Sequence, residues 1–256
     1  MVRRRFFAPP RAFAPGGSTV TLAPDETRHL RDVLRLKRGD EVYVFDGEGR
    51  EFQCVIDEVG RESVALGISA EVAPARPESP LRLTLAVALL KGEKLDLVVQ
   101  KATELGVVRI VPVVTALADV RLRDEQDTAR RTLRLRRIAL EAAKQSGRAR
   151  MPLIDAPVAF QSLIEGASTD EQGWHLMFSE RDGRGLSETI TTQPAARHEQ
   201  GLTALVGSEG GWKDEEIALA RQGGWSVITL GGRTLRAETA AITVTVLLQH
   251  LFGDLI

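Results

Sequence analysis

Two glycine-rich segments directly follow short apolar segments, and they are the parts of the sequence best suited to hold a ligand. The first, 207–212, reads Gly-Ser-Glu-Gly-Gly-Trp, and the second, 230–236, reads Leu-Gly-Gly-Arg-Thr-Leu-Arg. Glycine lets backbone N–H and C=O groups approach a ligand closely, and ligands of open α/β sheets bind where strands end. Backbone groups so arranged can bind an adenine edge, a carboxylate or a phosphate. For either segment alone, a plain tight turn remains the alternative.

Other common sites are missing from the sequence. It contains no GxxxxGK[ST] phosphate loop, no GxGxxG after a strand and no GxSxG nucleophile elbow, which disfavours an NTPase, a dehydrogenase or a hydrolase. With one cysteine, Cys54, an intrachain disulfide and a cysteine-rich zinc site are excluded. The four histidines are scattered, so no metal site is expected.

Charge is concentrated in two basic segments although the net charge is only −1. Residues 1–11 carry four arginines and no acid, and residues 121–150 carry ten Lys and Arg against four acids. Two basic segments on an otherwise acidic chain favour a polyanion partner. The alternative is that they are merely solvated helix faces.

The elements that must position the glycine-rich segments lie in the second of two predicted domains. Residues 1–72 combine short alternating strands with glycine turns and one helix over 24–34, which predicts a small β-barrel. Residues 73–80 carry three of the prolines and predict a linker. Residues 81–256 alternate strands and helices, and their strands are continuously apolar. This pattern predicts an α/β domain with a parallel sheet covered on both faces.

The predicted elements can be given as ranges. Strands are expected at 19–22, 41–45, 51–56, 63–68, 81–90, 107–114, 174–178, 202–206 and 227–230, and helices after the linker at 93–105, 124–146, 158–164, 214–222 and 237–252.

The last predicted helix, 237–252, is apolar around nearly its whole circumference. Such a helix is buried, either in the core or against a partner subunit. No run of about 18 apolar residues occurs, and the basic N-terminus lacks the apolar stretch of a signal peptide. A cytoplasmic protein without a membrane partner is therefore expected.

Several long motifs resemble those of one enzyme family. Gly207–Trp212 resembles the G-P-E-G-G-[WF] motif of the ribosomal RNA small subunit methyltransferase E family, and Leu230-Gly-x-Arg-x-Leu-Arg-x-Glu-Thr-Ala240 is similar to its L-G-x-R-I-L-R-x-E-T-A. Residues 141–148, 91–106, 4–7 and 29–35 match further family motifs in the same order. Two departures are a serine, Ser208, in place of the usual proline, and the absence of an E-R-S motif after Val114.

The resemblance implies a fold and an activity. The fold is a PUA-like β-barrel followed by a SPOUT α/β domain with a trefoil knot. The activity is S-adenosyl-L-methionine-dependent methylation of N3 of a uridine in 16S ribosomal RNA, by a homodimer whose knot helices pack across the two-fold. A SPOUT enzyme acting on another RNA such as tRNA, or a non-catalytic RNA-binding module, is the alternative.

The resemblance and the chemistry of uracil together suggest residue roles. N3–H of uracil is a weak acid, so Arg236 is expected to stabilise the anionic base, and Glu238 to accept the proton or to orient Arg236. Glu238 could instead bind the N–H groups at the start of its helix. The cofactor-binding residues are expected to be Val206, Gly207, Glu209, Gly210, Gly211, Leu230, Gly231, Leu235, Arg236 and Thr239. The RNA-binding residues are expected to be Arg3, Arg4, Arg5, Arg11, Lys144 and Arg148.

Overall fold

The computed structural model describes residues 3–168, 173–192 and 201–255. The chain forms two compact units. The first contains Met1–Glu78 together with Leu140–Met151, and the second contains Ser79–Ala139 together with Pro152–Ile256. Residues 140–151, which the sequence analysis assigned to the second domain, thus belong to the first unit.

The first unit is built on a curled five-stranded sheet, a half-barrel. All pairings are antiparallel except the parallel pair of the first and third strands. Side chains that alternate along the strands fill its core, as the period-two pattern predicts. The strands, in spatial order β1-β3-β4-β5-β2, are β1 Arg5–Phe7, β2 Thr19–Leu22, β3 Glu41–Phe45, β4 Glu51–Val59 and β5 Val64–Val72.

The helix predicted over 24–34 is regular only in its first half. Helix α1 covers Pro24–Arg28, and His29–Val33 forms a π-helical turn. The backbone N–H of Leu34 donates to the carbonyl of His29 at 3.0 Å. Arg35 then adopts a left-handed conformation with φ of 54°, which ends the helix.

A buried carboxylate organises the polar interior of the first unit. Glu51, fully shielded from solvent, accepts hydrogen bonds from the guanidinium groups of Arg3 and Arg5, each at 3.0 Å, and from the backbone N–H of Ala75 at 3.0 Å. Arg5 also donates to the carbonyls of Lys144 at 3.2 Å and Arg148 at 2.9 Å. A buried charge is tolerable only when it is paired and hydrogen-bonded, so these contacts hold four separate chain segments together.

The second unit contains the predicted parallel sheet, in the order β11-β13-β10-β12-β6-β7-β8 with β9 also paired to β7. Every pairing in this sheet is parallel. The strands are β6 Leu83–Ala88, β7 Arg109–Val114, β8 Leu153–Ile154, β9 Val158–Ala159, β10 Trp174–Phe178, β11 Arg184–Gly185, β12 Leu202–Val206 and β13 Ser226–Thr229. The helices are α2 Lys94–Glu104, α3 Glu125–Ser146, α4 Phe160–Ser168, α5 Leu186–Thr192, α6 Asp214–Gln222 and α7 Ala237–Phe252. Residues 140–146 of α3 belong to the first unit.

Both faces of this sheet are covered, as the continuously apolar strands predict. Along β6, Leu85 and Val87 join the core that contains α2 and α7, whereas Ala86 joins the core that contains α4 and α6. One expectation was wrong: the helix predicted from 158 begins only at Phe160, because residues 158 and 159 pair with β7.

Helix α7 buries one face and leaves another outside. Ala241, Val244 and Leu248 are fully buried in the core of the second unit, whereas Val246 and Leu251 remain 39% and 46% exposed. The core therefore accounts for only part of the apolar circumference. Across the described residues, no helix combines the length and apolarity that crossing a membrane requires.

Candidate functional site

Three segments of the second unit meet where neighbouring parallel strands end. Strand β10 pairs with β12 on one side and with β13 on the other. The first glycine loop (207–212) follows β12, and the second glycine loop (230–236) follows β13. The two strands that precede these loops are not adjacent, because β10 lies between them. The segment after β10 is therefore a third part of the site, at the edge where α/β sheets bind ligands.

The first glycine loop is so tightly packed that side chains are excluded from it. A Cβ atom on Gly207 would lie 2.9 Å from the ring of Trp212, which is buried and donates from Nε1 to the carbonyl of Phe178 at 2.8 Å. Gly211 has φ of 70°, and a Cβ there would lie 2.6 Å from Oε1 of Glu180. The N–H of Gly211 donates to the carbonyl of Ser208 at 3.0 Å and closes the turn. Glycine at 207 is thus a steric requirement, and glycine at 211 is favoured by its left-handed backbone.

The segment after β10 forms hydrogen bonds with the first glycine loop and with the end of β13. Arg181 donates to the carbonyl of Trp212 at 3.0 Å and pairs with Asp214 at 2.6 Å. On the other side, Ser179 N–H donates to the carbonyl of Ile228 at 2.9 Å, and Gly183 N–H donates to Oγ1 of Thr229 at 3.0 Å. The ends of β12 and β13 are therefore linked through β10.

An ion pair fixes the side chain of Glu209 in the first glycine loop. Lys94, at the start of α2, lies 2.9 Å from Oε1 of Glu209. Partial burial alone would raise the pKa of this carboxyl, but the hydrogen bond from Lys94 and backbone N–H donors outweigh it, so the pKa of Glu209 is lowered. The carboxylate is consequently charged and already has a partner.

The second glycine loop is open. Gly231 and Gly232 have φ of 76° and 70°, and a Cβ on either would meet nothing within 4 Å. Arg236 is exposed and is the N-cap residue of α7, where its carbonyl accepts from Ala240 N–H at 2.8 Å. Its guanidinium has no ion-pair partner in the part of the chain that the structure describes.

Three buried polar atoms in this region have no hydrogen-bond partner among the described residues: Oγ1 of Thr115, Oγ of Ser208 and Oε2 of Glu238. Thr115 directly follows β7, Ser208 lies just after β12, and Glu238 lies in the first turn of α7. An unpaired buried polar group costs about 1–3 kcal/mol. Such atoms, which follow strand ends or begin α7, can be satisfied by a polar ligand.

The predicted ligand residues fall on two loops and one helix start. Val206, Gly207, Glu209, Gly210 and Gly211 end β12 or lie in the first glycine loop. Leu230, Gly231, Leu235 and Arg236 lie in the second glycine loop, and Glu238 and Thr239 lie in the first turn of α7.

Sequence reasoning missed Lys94, Glu180 and Arg181. A signal for them exists, because each belongs to a charged segment that directly follows an apolar strand. Glu180 and Arg181 begin such a segment after β10, and Lys94 ends one after β6. No group of three acidic, histidine or cysteine side chains able to hold a metal occurs in the described ranges.

Four of the six predicted RNA-binding residues are engaged inside the first unit. Arg3 and Arg5 pair with Glu51, Lys144 pairs with Glu26 at 2.8 Å, and Arg148 pairs with Glu78 at 2.6 Å. Arg5 and Arg148 are also almost completely buried. Contact with phosphate would therefore require these pairs to break, a cost that a count of charges along the sequence does not show. Arg4 and Arg11 are exposed.

Known proteins match this chain over nearly its full length. The profile of an RNA methyltransferase domain matches residues 77–249, and that of an RNA methyltransferase PUA domain matches residues 22–69. The ribosomal RNA small subunit methyltransferase E of Rickettsia conorii is 31% identical over 228 residues, 88% of this chain and 87% of the relative. The protein of the same name from Synechocystis is 32% identical over 225 residues, 87% of this chain and 70% of the relative.

Solved structures of methyltransferases have the same fold as this chain. The crystal structure of a ribosomal RNA small subunit methyltransferase E from Neisseria gonorrhoeae bound to S-adenosyl methionine superposes with a TM-score of 0.85, at 30% identity and over the whole of both chains. A methyltransferase from Legionella pneumophila in complex with the same cofactor gives 0.86 at 30% identity, over 99% of this chain and 100% of that one.

The ion pair between Lys94 and Glu209 predicts a pH-dependent loop. Because the pKa of Glu209 is lowered in the folded chain, the pair stabilises the loop above the unfolded-state pKa and is lost as the pH falls through the folded-state pKa. In Lys94→Ala the pKa of Glu209 should rise, because the hydrogen bond from Lys94 that lowers it is lost while partial burial still raises it. Carboxyl ¹³C NMR titration measures this. The matched control is Lys101→Ala, which removes the partner of Glu104 and should leave Glu209 unchanged; an unmoved Glu209 in Lys94→Ala would contradict the assignment.

Proposed function

Because the chain belongs to the ribosomal RNA small subunit methyltransferase E family, we propose that it transfers a methyl group from S-adenosyl-L-methionine to N3 of a uridine in 16S ribosomal RNA. The observation that carries this proposal is the pair of glycine loops on either side of β10, with buried polar atoms that lack partners among the described residues. The proposed place of action is the cytoplasm, on free ribosomal RNA or on the small subunit.

The fit of the site supports the cofactor assignment. When bound, S-adenosyl-L-methionine supplies an electrophilic methyl group on a sulfonium centre. The chain contributes position. The first glycine loop is held in one conformation by its packing on Trp212 and Glu180, and the second leaves open space around Gly231. The positions proposed to bind the cofactor are Val206, Gly207, Glu209, Gly210, Gly211, Leu230, Gly231, Leu235, Arg236 and Thr239.

Arg236 and Glu238 are proposed to act on uracil. N3 becomes nucleophilic only as its proton leaves, and the negative charge then spreads over the ring. Arg236, exposed and without an ion-pair partner among the described residues, is proposed to stabilise this anion. Glu238 is proposed to accept the proton or to orient Arg236, since its Oε2 is buried and unpaired among those residues.

The domain assignment remains a proposal as well. We take 1–72 as the PUA-like RNA-binding domain, 73–80 as the linker and 81–256 as the SPOUT methyltransferase domain, with the trefoil knot that the family resemblance implies. The match to an RNA methyltransferase PUA domain over 22–69 supports the first of these. Residues 140–151, within the third range, pack with the first unit.

Gly211→Ala tests the cofactor site. The added methyl group enters the cradle beside Glu180, so cofactor affinity should fall about tenfold or more, which is about 1.4 kcal/mol. Isothermal calorimetry with S-adenosyl-L-methionine measures this. Gly224→Ala is the matched control, because Gly224 has a similar φ of 79° and open space around it and lies next to the amino end of β13. Equal affinities for the two variants would refute the site.

Arg236→Ala tests the reaction. Nucleoside mass spectrometry of 16S ribosomal RNA should show that a strain lacking the gene has lost one 3-methyluridine and that the wild-type chain restores it. Purified Arg236→Ala should lose about 100-fold or more in turnover at saturating RNA, with a much smaller change in RNA affinity. Arg82→Ala, an exposed arginine directly before β6, is the control. If Arg236→Ala loses RNA affinity but keeps its turnover, Arg236 is a binding residue. If the 3-methyluridine that depends on the gene is found in tRNA instead, the substrate is tRNA.

A homodimer formed through α7 is the proposed assembly. The outward apolar residues Val246 and Leu251 support it, because the core does not cover them. Light scattering at micromolar concentration should give twice the chain mass, and Val246→Glu/Leu251→Glu should give a monomer. Leu133→Glu/Leu153→Glu, at side chains that are even more exposed, should stay dimeric. A monomeric wild-type chain would refute the assembly.

A further inference from the structure

A compact segment of the first unit, residues 28–38, carries more exposed positive charge than the N-terminal arginines. It contains five basic side chains and a single carboxylate, Asp32. This segment lies outside both basic stretches found by counting charges, 1–11 and 121–150. The basic side chains are Arg28, Arg31, Arg35, Lys37 and Arg38.

Three of these five charges are free for a ligand. Arg28 pairs with Asp25, and Arg31 pairs with Asp32 at 2.6 Å. The side chains of Arg35, Lys37 and Arg38 have no carboxylate partner in the described part of the chain, and all three residues are exposed. In this they differ from Arg5 and Arg148, whose charges are neutralised inside the same unit.

The backbone that carries these side chains is fixed. Leu30 and Leu36 are buried anchors in the core, and Leu36 N–H donates to the carbonyl of Leu30 at 3.1 Å. Arg31 donates to the carbonyl of Arg61 at 2.7 Å, and Gly39 N–H donates to the carbonyl of Ile56 at 2.8 Å. A π turn and a left-handed non-glycine residue, both frequent at functional sites, lie between the anchors. The side chains are therefore presented from a preorganised turn.

Two aliphatic side chains lie beside the charges. Val33 is 65% exposed and Leu34 is 39% exposed, directly before Arg35 in the chain. Solvent-exposed aliphatic groups next to unpaired cations suit a ligand that has both phosphates and apolar faces. Nucleic acid offers both, as phosphate groups and as the faces of sugar and base.

We propose that residues 31–38 form an RNA-docking surface, with Arg35, Lys37 and Arg38 pairing with phosphates and Val33 and Leu34 packing on a ribose or base. The inference rests on the proposed function, because that reaction makes RNA the polyanion that the chain must bind. It shifts RNA capture in the first unit from the paired arginines Arg3 and Arg5 to this turn.

Paired variants test the surface by fluorescence anisotropy with a labelled 16S ribosomal RNA transcript over a range of salt concentrations. Arg35→Ala/Arg38→Ala should weaken binding about tenfold or more at ~0.1 M salt and make the salt dependence shallower by about 1.4–1.8 logarithmic units per decade of salt. The control that also removes two arginines is Arg82→Ala/Arg109→Ala, of which Arg109 pairs with Asp155 at 2.7 Å and Arg82 has no carboxylate partner among the described residues. These arginines lie at the amino ends of β6 and β7, the edge of the sheet opposite the glycine loops, and should have no such effect.

A second variant separates apolar contact from charge. Val33→Ser/Leu34→Ser should weaken binding several-fold with an unchanged salt slope, because no charge is removed. Thermal melting of each variant verifies that the chain folds. Equal losses in the two arginine pairs, or an unaffected Arg35→Ala/Arg38→Ala, would overturn the surface, and a silent Val33→Ser/Leu34→Ser would remove its apolar part.

Failure of the proposed function gives a different result. If the wild-type chain binds neither the transcript nor S-adenosyl-L-methionine, the function itself is wrong. If it binds both and methylates the transcript while Arg35→Ala/Arg38→Ala binds RNA normally, only the docking surface is wrong.

Discussion

The parallel pairing of β10 with both β12 and β13 is the constraint on which the site depends. Parallel strands require crossover connections, so the segments that leave β10, β12 and β13 emerge at one edge of the sheet. At that edge Gly207 lies against the ring of Trp212, and Gly211 lies against the carboxylate of Glu180. Glycine at these two positions makes room for those side chains, whereas Gly231 and Gly232 of the second glycine loop have open space beside them.

Charge has two different uses in this chain. In the first unit, Glu51 draws Arg3 and Arg5 into the interior, where they hold separate segments together. At the surface, Arg35, Lys37 and Arg38 have no carboxylate partner among the described residues and remain available to a partner molecule. Burial decides between the two uses. A guanidinium whose carboxylate partner is shielded from water is held far more firmly than one in an exposed pair.

Much of the architecture was predictable because it follows from local patterns. The long apolar strands β6, β7, β10 and β12 and the helices α2, α3, α6 and α7 end within two residues of the predicted positions, since periodicity and glycine ends are encoded locally. Strands of two or three residues, β1, β8, β9 and β11, carry too few side chains to show a period. The π turn after α1 was also missed, because a change of hydrogen-bond partner from i+4 to i+5 leaves no mark on composition.

The site was predictable in its residue types and less so in its geometry. The two glycine loops were found from the sequence because strand ends rich in glycine have a recognisable pattern. The order of strands was not, because it depends on pairings between residues far apart in the chain. The segment after β10, with Arg181 bound to one neighbour and with Ser179 and Gly183 bound to the other, was therefore missed. Ion-pair partners could not be predicted for the same reason. Glu78 lies 70 residues before Arg148, and no local pattern joins them.

The first unit is discontinuous in the chain, and this has a consequence for biosynthesis. Residues 140–151 provide the carbonyls that Arg5 binds, and they provide Arg148, the partner of Glu78. A nascent chain that has emerged only as far as residue 78 therefore has the sheet strands and the Arg5–Glu51 pair. It still lacks the carbonyls that Arg5 binds and the arginine that pairs with Glu78, until residue 151 leaves the ribosome. Co-translational folding, which usually completes an N-terminal domain first, must here leave the first unit unfinished while some sixty residues of the second are synthesised.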